Sequence, residues 1–304
     1  MTAATGPLQE LPRASREVVS GRSGDAHERV WRFSLAGVGM KLSMLQREDR
    51  FTAPGSGDGG DWIIKLPDFK YPQVPRNELA MMQLARAAGL DVPETRVVSR
   101  EQLDDVPDHL WPPHEPMAYA VKRFDRDGAG KRIHMEDMAQ VRGFYPDDKY
   151  KGTFETVAAL VYRGRDVPSL VEFVKRLAFN VLISNGDAHL KNWSLLYVDP
   201  RVPRLSPAYD LVSTIVYKPP TEPENLGLRF GGSRRMETVS LGTFAGLQRK
   251  LGLGEPLLAD VVRDFAGRVR AAWPQAAEIL KNHRELAQRI EESLNRRMST
   301  LLRG

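Results

Sequence analysis

Apolar positions recur along this chain with two periods, and the change from one to the other divides it. From Val30 the pattern is short and strand-like: "VWRFSLAGVGMKLSML" predicts a strand, a turn of small residues and a second strand. A Gly/Ser loop, "APGSGDGG", leads into the apolar strand "DWIIKLP". The helical period first appears in "NELAMMQLARAAGL", with Leu79, Met82, Leu84, Ala85 and Ala88 in phase and Gly89 as the stop. "DVPETRVVS" and "MAYAVKRFDRDG" return to strand patterns.

Beyond them the chain reads as mostly helical. "TFETVAALVYRG" and "PSLVEFVKRLAFNVLI" are predicted helices, the second carrying Leu170, Val171, Val174, Leu177, Ala178, Val181 and Leu182 on one face. "EPLLADVVRDFAGRVRAAW" aligns Leu257, Val261, Val262, Phe265 and Val269, and a last basic amphipathic helix is expected from about Pro274 to Leu302. Sheet first and helices after predict an α+β fold of two lobes with a cleft between them. The expected division is an arm over 1–28, a sheet-rich lobe over 29–125 and a helical lobe over 126–304.

Composition narrows the function classes. With 304 residues, 41% hydrophobic and 27% charged, the chain has an ordinary globular balance and can bury a large core. It has no cysteine, which excludes disulfides, thiolate zinc sites and cysteine nucleophiles. No apolar run approaches the ~20 residues of a membrane helix and no signal peptide is legible, so a cytoplasmic protein without a membrane partner is expected. Forty-four Lys and Arg against 39 Asp and Glu give a net charge of +5, which favours an anionic partner. The basic residues are scattered, so a dedicated nucleic-acid stripe is not predicted.

Candidate chemistry concentrates in "NVLISNGDAHLKNWSLLYV", where polar residues interrupt two apolar runs. Polar groups beside a core must be hydrogen-bonded or bind something. Asp187 and Asn192 stand in the D-x-x-x-x-N spacing of a protein-kinase catalytic loop, and "LSPAYDLVS" supplies Asp210 after a predicted strand pair. An Asp that takes a hydroxyl proton, with Asn192 and Asp210 as hard oxygen ligands, suits Mg²⁺ held with a nucleotide. Upstream, "SLAGVGMK" can form a small-residue phosphate loop from Ser34, Ala36, Gly37, Val38 and Gly39, Lys65 can reach phosphates, and Glu78 can pair with Lys65. His189 is expected to orient the loop, and Lys191 to pair with either the transferring phosphate or Asp187. A small-molecule phosphotransferase, a metal-dependent hydrolase and a non-catalytic co-repressor partner of a DNA-binding antitoxin remain open on these residues.

From about Phe33 to Leu302, "SLAGVGMKLSML", "IIKLP", "NELAMMQLARAAGLDVP", "AVKRFDR", "EDMAQ", "SNGDAHLKNWSLL" and "LSPAYDLVS" together resemble the HipA-type serine/threonine kinase toxins of bacterial toxin–antitoxin systems. The resemblance implies a two-lobed kinase-like fold, Asp187 as catalytic base, Mg²⁺ on Asn192 and Asp210, and Lys65 on ATP phosphates. It also implies a hinge over Val121–Phe124 that receives adenine beside Lys122 and Phe124, and self-phosphorylation at Ser34. The implied substrate is a serine or threonine of another protein, such as an aminoacyl-tRNA synthetase. The implied partner is a helix-turn-helix antitoxin, through which contact with DNA is indirect. Few residues precede Ser34 where longer members carry an N-terminal subdomain, so the chain looks more like the short HipT-type kinases, in which a separate small protein supplies it. It departs from the family's common loop at Ala188, where a second aspartate is frequent, and from Asp-Phe-Gly at Tyr209-Asp210-Leu211.

Overall fold

Alternation in the strands decides which side chains meet across the cleft. The computed structural model describes residues 40–54 and 59–303, all within one compact unit. The expected arm over 1–28 and the phosphate-loop residues Ser34, Ala36, Gly37, Val38 and Gly39 lie outside the described residues. Strands β1 (Lys41–Arg47), β2 (Arg50–Thr52) and β3 (Trp62–Lys65) pair antiparallel, with Lys41 opposite Lys65, Leu42 opposite Ile64 and Met44 opposite Trp62. Successive side chains point to opposite faces. Buried Leu42, Met44, Trp62 and Ile64 therefore share one face, while Lys41 and Lys65 stand side by side on the other.

Helix α1 (Val74–Ala87) follows, then β4 (Thr95–Ser99) and β5 (Met117–Lys122), completing a five-stranded antiparallel sheet in the order β2-β1-β3-β5-β4. α1 starts earlier than the expected Asn77, because Pro75 fits a first turn in which its missing N–H bonds nothing. Met81, Met82, Leu84 and Ala85 of α1 join Tyr119 and Val121 of β5 in the main core, so α1 covers the Lys65 face.

The helical lobe is built around α4. After β6 (His134–Asp137) and α2 (Met138–Val141) come α3 (Phe154–Tyr162) and α4 (Val167–Leu182). Leu170, Phe173, Val174, Leu177, Ala178 and Val181 of α4 are all buried. The "EDMAQ" segment is a local device: Asp137 accepts from the Gln140 N–H at 2.9 Å and Gln140 Oε1 accepts from the Asp137 N–H at 2.9 Å. This reciprocal cap starts α2. The Met138 N–H then donates to the Trp193 carbonyl at 2.8 Å, tying the segment to the end of the polar loop.

Strand β7 (Ser194–Asp199) pairs with β6 on one side and β8 (Val202–Leu205) on the other in a three-stranded sheet, and β9 (Asn225–Phe230) with β10 (Ser233–Arg235) form a hairpin. The chain ends with α5 (Leu241–Leu251), α6 (Leu258–Ala277) and α7 (Arg284–Leu301). One expected boundary is corrected. Pro274 does not begin the last helix but sits inside α6, because buried Trp273 and Ala276 hold that final turn against the core despite the missing N–H. The break falls after Ala277, and the last helix begins at Arg284.

Candidate active site

Polar side chains of the "SNGDAHLKN" loop divide into braces and cleft-facing groups. α4 ends at Leu182, and Ser184 takes a left-handed conformation with φ 52°. Its hydroxyl lies 2.7 Å from that of Ser293 on α7, which fixes the exit from the helix. Asn185 is a buried double clamp: its amide donates to Asn180 Oδ1 at 2.8 Å and its Oδ1 accepts from the Asp187 N–H at 3.1 Å. Its amide also reaches the Asp210 carbonyl at 3.3 Å, so one side chain spaces the two acidic segments.

Gly186 makes the next turn possible by close approach. A Cβ there would lie 2.2 Å from Glu224 Oε1 and 2.8 Å from the Asn225 carbonyl oxygen. The Gly186 N–H donates to Thr214 Oγ1 at 2.8 Å, and that hydroxyl donates to Glu224 Oε2 at 2.6 Å. Asp187 emerges from this scaffold with its side chain half exposed, at the mouth of the cleft.

Across the cleft, β3 brings Lys65 to Asp210. Its ammonium bridges Glu78 on α1 and Asp210 Oδ1, and it lies 5.2 Å from the centre of the Tyr119 ring. Lys41, its neighbour across β1, approaches Asp210 Oδ2 at 3.8 Å. Burial alone would lower the Lys65 ammonium and raise the Asp210 carboxyl. The facing charges overcome that, so Lys65 is held above the usual lysine range and Asp210, facing Lys65 and Lys41, well below the carboxylate range. Glu78 goes the other way: burial lifts it despite Lys65.

Asn192 closes the group. It ends a 3-10 turn, Leu190–Asn192, and its amide donates to Asp210 Oδ2 at 3.2 Å. Its Oδ1 is buried and has no hydrogen-bond partner among the described residues, an arrangement that costs free energy unless the oxygen has a ligand to meet. With the adjacent Asp210 carboxylate kept ionised, two hard oxygens are available to a divalent cation.

The remaining expected residues fall around this centre in different ways. His189 is buried, lies 3.9 Å from Asp187 Oδ1 through Nε2, and is kept toward its neutral form chiefly by burial. Lys191 is half buried and makes no ion pair with Asp187; its backbone carbonyl accepts from the Tyr209 hydroxyl at 2.9 Å. Phe124 packs on Tyr209 with ring centroids 5.6 Å apart, which sets the segment after β5 beside the residue preceding Asp210. Lys122 is not drawn in: it pairs in register with Trp62, on the face opposite Lys65, and its ammonium is 3.5 Å from Glu94.

Sequence reasoning missed Lys41, Asn185, Tyr150 and Glu224. Lys41 could have been found from strand alternation, since it is in phase with the cleft face of β1. Asn185, Tyr150 and Glu224 carry no such signal, because their roles depend on contacts between distant segments. Tyr150 donates its hydroxyl to Asp187 Oδ1, and its phenol is driven upward by burial and that carboxylate.

Comparison with known proteins agrees with the architecture. Residues 33–273 match the family described as HipA-like C-terminal domain. A Sinorhizobium fredii protein named "Putative kinase Y4dM" is 40% identical over 282 residues, covering 91% of this chain and 67% of that protein. "Serine/threonine-protein kinase toxin HipA" of Shewanella oneidensis is 27% identical over 278 residues, 82% of this chain and 58% of that one. The solved Shewanella oneidensis HipA, in complex with HipB and operator DNA, superposes with a TM-score of 0.71 at 23% identity, covering 89% of this chain and 65% of that chain. The fold is therefore the two-lobed, kinase-like α+β fold of HipA. The chain spans about two thirds of the length of these relatives.

Proposed function

The chain belongs to the HipA-like C-terminal domain family, and from that premise we propose that it is an ATP- and Mg²⁺-dependent serine/threonine protein kinase acting as the toxin of a bacterial toxin–antitoxin system. The observation that carries this reading is the Lys65 ammonium meeting Asp210 across the cleft while Glu78 holds it from α1. A structural ion pair would need one carboxylate; a lysine that must later turn toward phosphates is served by a second, which retains it when the first is engaged elsewhere.

Each of these residues takes a role in this reading. Asp187 accepts the proton of an acceptor hydroxyl as its oxygen bonds to the γ-phosphorus of ATP and the bond to the β-phosphate oxygen breaks, leaving ADP. Lys65 turns from Asp210 toward the phosphates, with Glu78 limiting its swing. Asn192 Oδ1 and Asp210 would hold Mg²⁺, which supplies charge neutralisation for the triphosphate. Among the described residues no group of three or more His, Cys, Asp or Glu is placed to hold a metal ion. Positioning and electrostatics of this kind provide most of the acceleration in phosphoryl transfer.

The sheet-rich and helical lobes supply opposite walls of this site, and the residues before 29 serve as an arm that docks a partner. That partner is a helix-turn-helix antitoxin, joined by a separate small protein. Support for the antitoxin comes from the HipA structure, which contains HipB and operator DNA. The substrate is a serine or threonine on a translation component such as an aminoacyl-tRNA synthetase, and Ser34 is a self-phosphorylation switch in the loop Ala36, Gly37, Val38 and Gly39. Val121–Phe124 serves as the adenine hinge through its backbone, which leaves Lys122 free to pair with Glu94. Expression in a bacterial host tests the reading: growth arrest is expected from the natural sequence, relief on co-expression of an adjacent helix-turn-helix gene, and no arrest from Asp187→Asn.

A further inference from the structure

The proposed base is not open to solvent on both oxygens. Asp187 Oδ1 accepts the Tyr150 hydroxyl, the same hydrogen bond that an acceptor serine or threonine must donate before transfer. The contact is held from several sides. The Leu190 N–H donates to the Lys149 carbonyl at 3.0 Å, Arg234 donates to the Tyr150 carbonyl at 2.5 Å, and the Tyr150 ring stands edge-on to His189 with centroids 5.2 Å apart. These bonds hold the backbone on both sides of the phenol while leaving its hydroxyl directed at the carboxylate.

The segment that carries Tyr150 is bounded by two glycine turns. It is flanked by Gly143 and Gly152 with φ of 65° and 120°, conformations that other residues adopt at a cost. Between them lie a short 3-10 turn, Pro146–Asp148, and the largely exposed Tyr145. The phenol donates to a half-exposed carboxylate that water would otherwise solvate, and so occupies the position where an acceptor hydroxyl would bind.

We propose that Tyr150 is a surrogate acceptor: its hydroxyl occupies the acceptor's place on Asp187, suppresses transfer of phosphate to water, and leaves only when a protein acceptor displaces the 143–152 segment. This rests on the reading of Asp187 as the base. It concerns regulation of that site and does not alter the phosphoryl-transfer step.

The test is acceptor-free ATP hydrolysis by the full chain with Mg²⁺, comparing the natural sequence, Tyr150→Phe, Asp187→Asn and the double variant. Tyr150→Phe should raise the turnover number by about tenfold, the equivalent of losing one charge-assisted hydrogen bond that excludes water, with the KM for ATP unchanged. The increase should vanish in the Asp187→Asn background. Slower or unchanged hydrolysis by Tyr150→Phe, with Asp187→Asn inactive, would overturn the surrogate role and leave the kinase reading intact. Undiminished hydrolysis by Asp187→Asn would instead remove the base itself, and with it both readings.

Discussion

Lys65 and Asp210, from strands and loops of opposite lobes, form an ion pair that closes the cleft, and the same ammonium is held by Glu78. The Lys65 ammonium thus faces two carboxylates, Glu78 buried and Asp210 partly so, with Lys41 also near Asp210. Lys65→Met should abolish phosphoryl transfer and also destabilise the fold by about 3 kcal/mol, because breaking a buried pair leaves unpaired charge. Adding Glu78→Gln should recover much of that stability and none of the activity, as read by denaturant unfolding beside a transfer assay.

Asp187 and Asp210 should separate by function. Asp187→Asn preserves the shape of a half-exposed side chain, so stability should change little, while transfer falls by about 10²–10⁴, the usual range for a positioned acid or base. ATP binding with Mg²⁺ should persist in Asp187→Asn and be weakened in Asp210→Asn. Isothermal titration of the two variants reads the difference.

Much of this centre was legible in the sequence, and the boundary of legibility has a physical cause. Asp187, Asn192 and Asp210 stand at fixed spacings on one continuous stretch, and Lys65 and Glu78 follow from local strand and helix patterns, so chain order suffices. Strands β1, β3, β4 and β5 and helices α1, α3, α4 and α6 announce themselves by period. The hairpin of β9 and β10 and strand β6 do not, because strands of three to six residues owe their form to neighbours that are remote in sequence. Pro274 misled for a similar reason, since only the core packing of Trp273 and Ala276 explains why α6 runs through it. Glu224 looks like any surface acid until Gly186 is seen to lie against it.

That approach gives a prediction of its own. Gly186→Ala would set a methyl 2.2 Å from Glu224 Oε1, so either the carboxylate or the loop must move. A loss of about 1–3 kcal/mol is expected, with a fall in transfer greater than that seen for an alanine at the open Gly128. Thermal melts and activity measured together distinguish a displaced loop from general unfolding.

Stability of the nucleotide-free protein in chelator should depend on pH through the same group. Asp210 is held below its unfolded value of about 3.9, so its stabilisation is present above that value and lost as pH falls through the lower folded one. Lys65 is raised, so its share is complete below about 10.4 and lost only as pH rises through its folded value. Glu78, raised by burial, opposes both by ionising at a cost as pH climbs above about 4.3. Asp210→Asn should therefore flatten the acid limb of the stability profile below about pH 4, as measured by urea midpoints.

The central claim is that Lys65, Asp187, Asn192 and Asp210 form a phosphoryl-transfer centre. Its most direct test is incubation of the purified chain with γ-labelled ATP and Mg²⁺, following label on protein and release of ADP in the natural sequence and in Asp187→Asn. The account predicts Mg²⁺-dependent label on serine or threonine with ADP release from the natural sequence, and both lower by about 10²–10⁴ in Asp187→Asn. Label transfer that is undiminished in Asp187→Asn would contradict it.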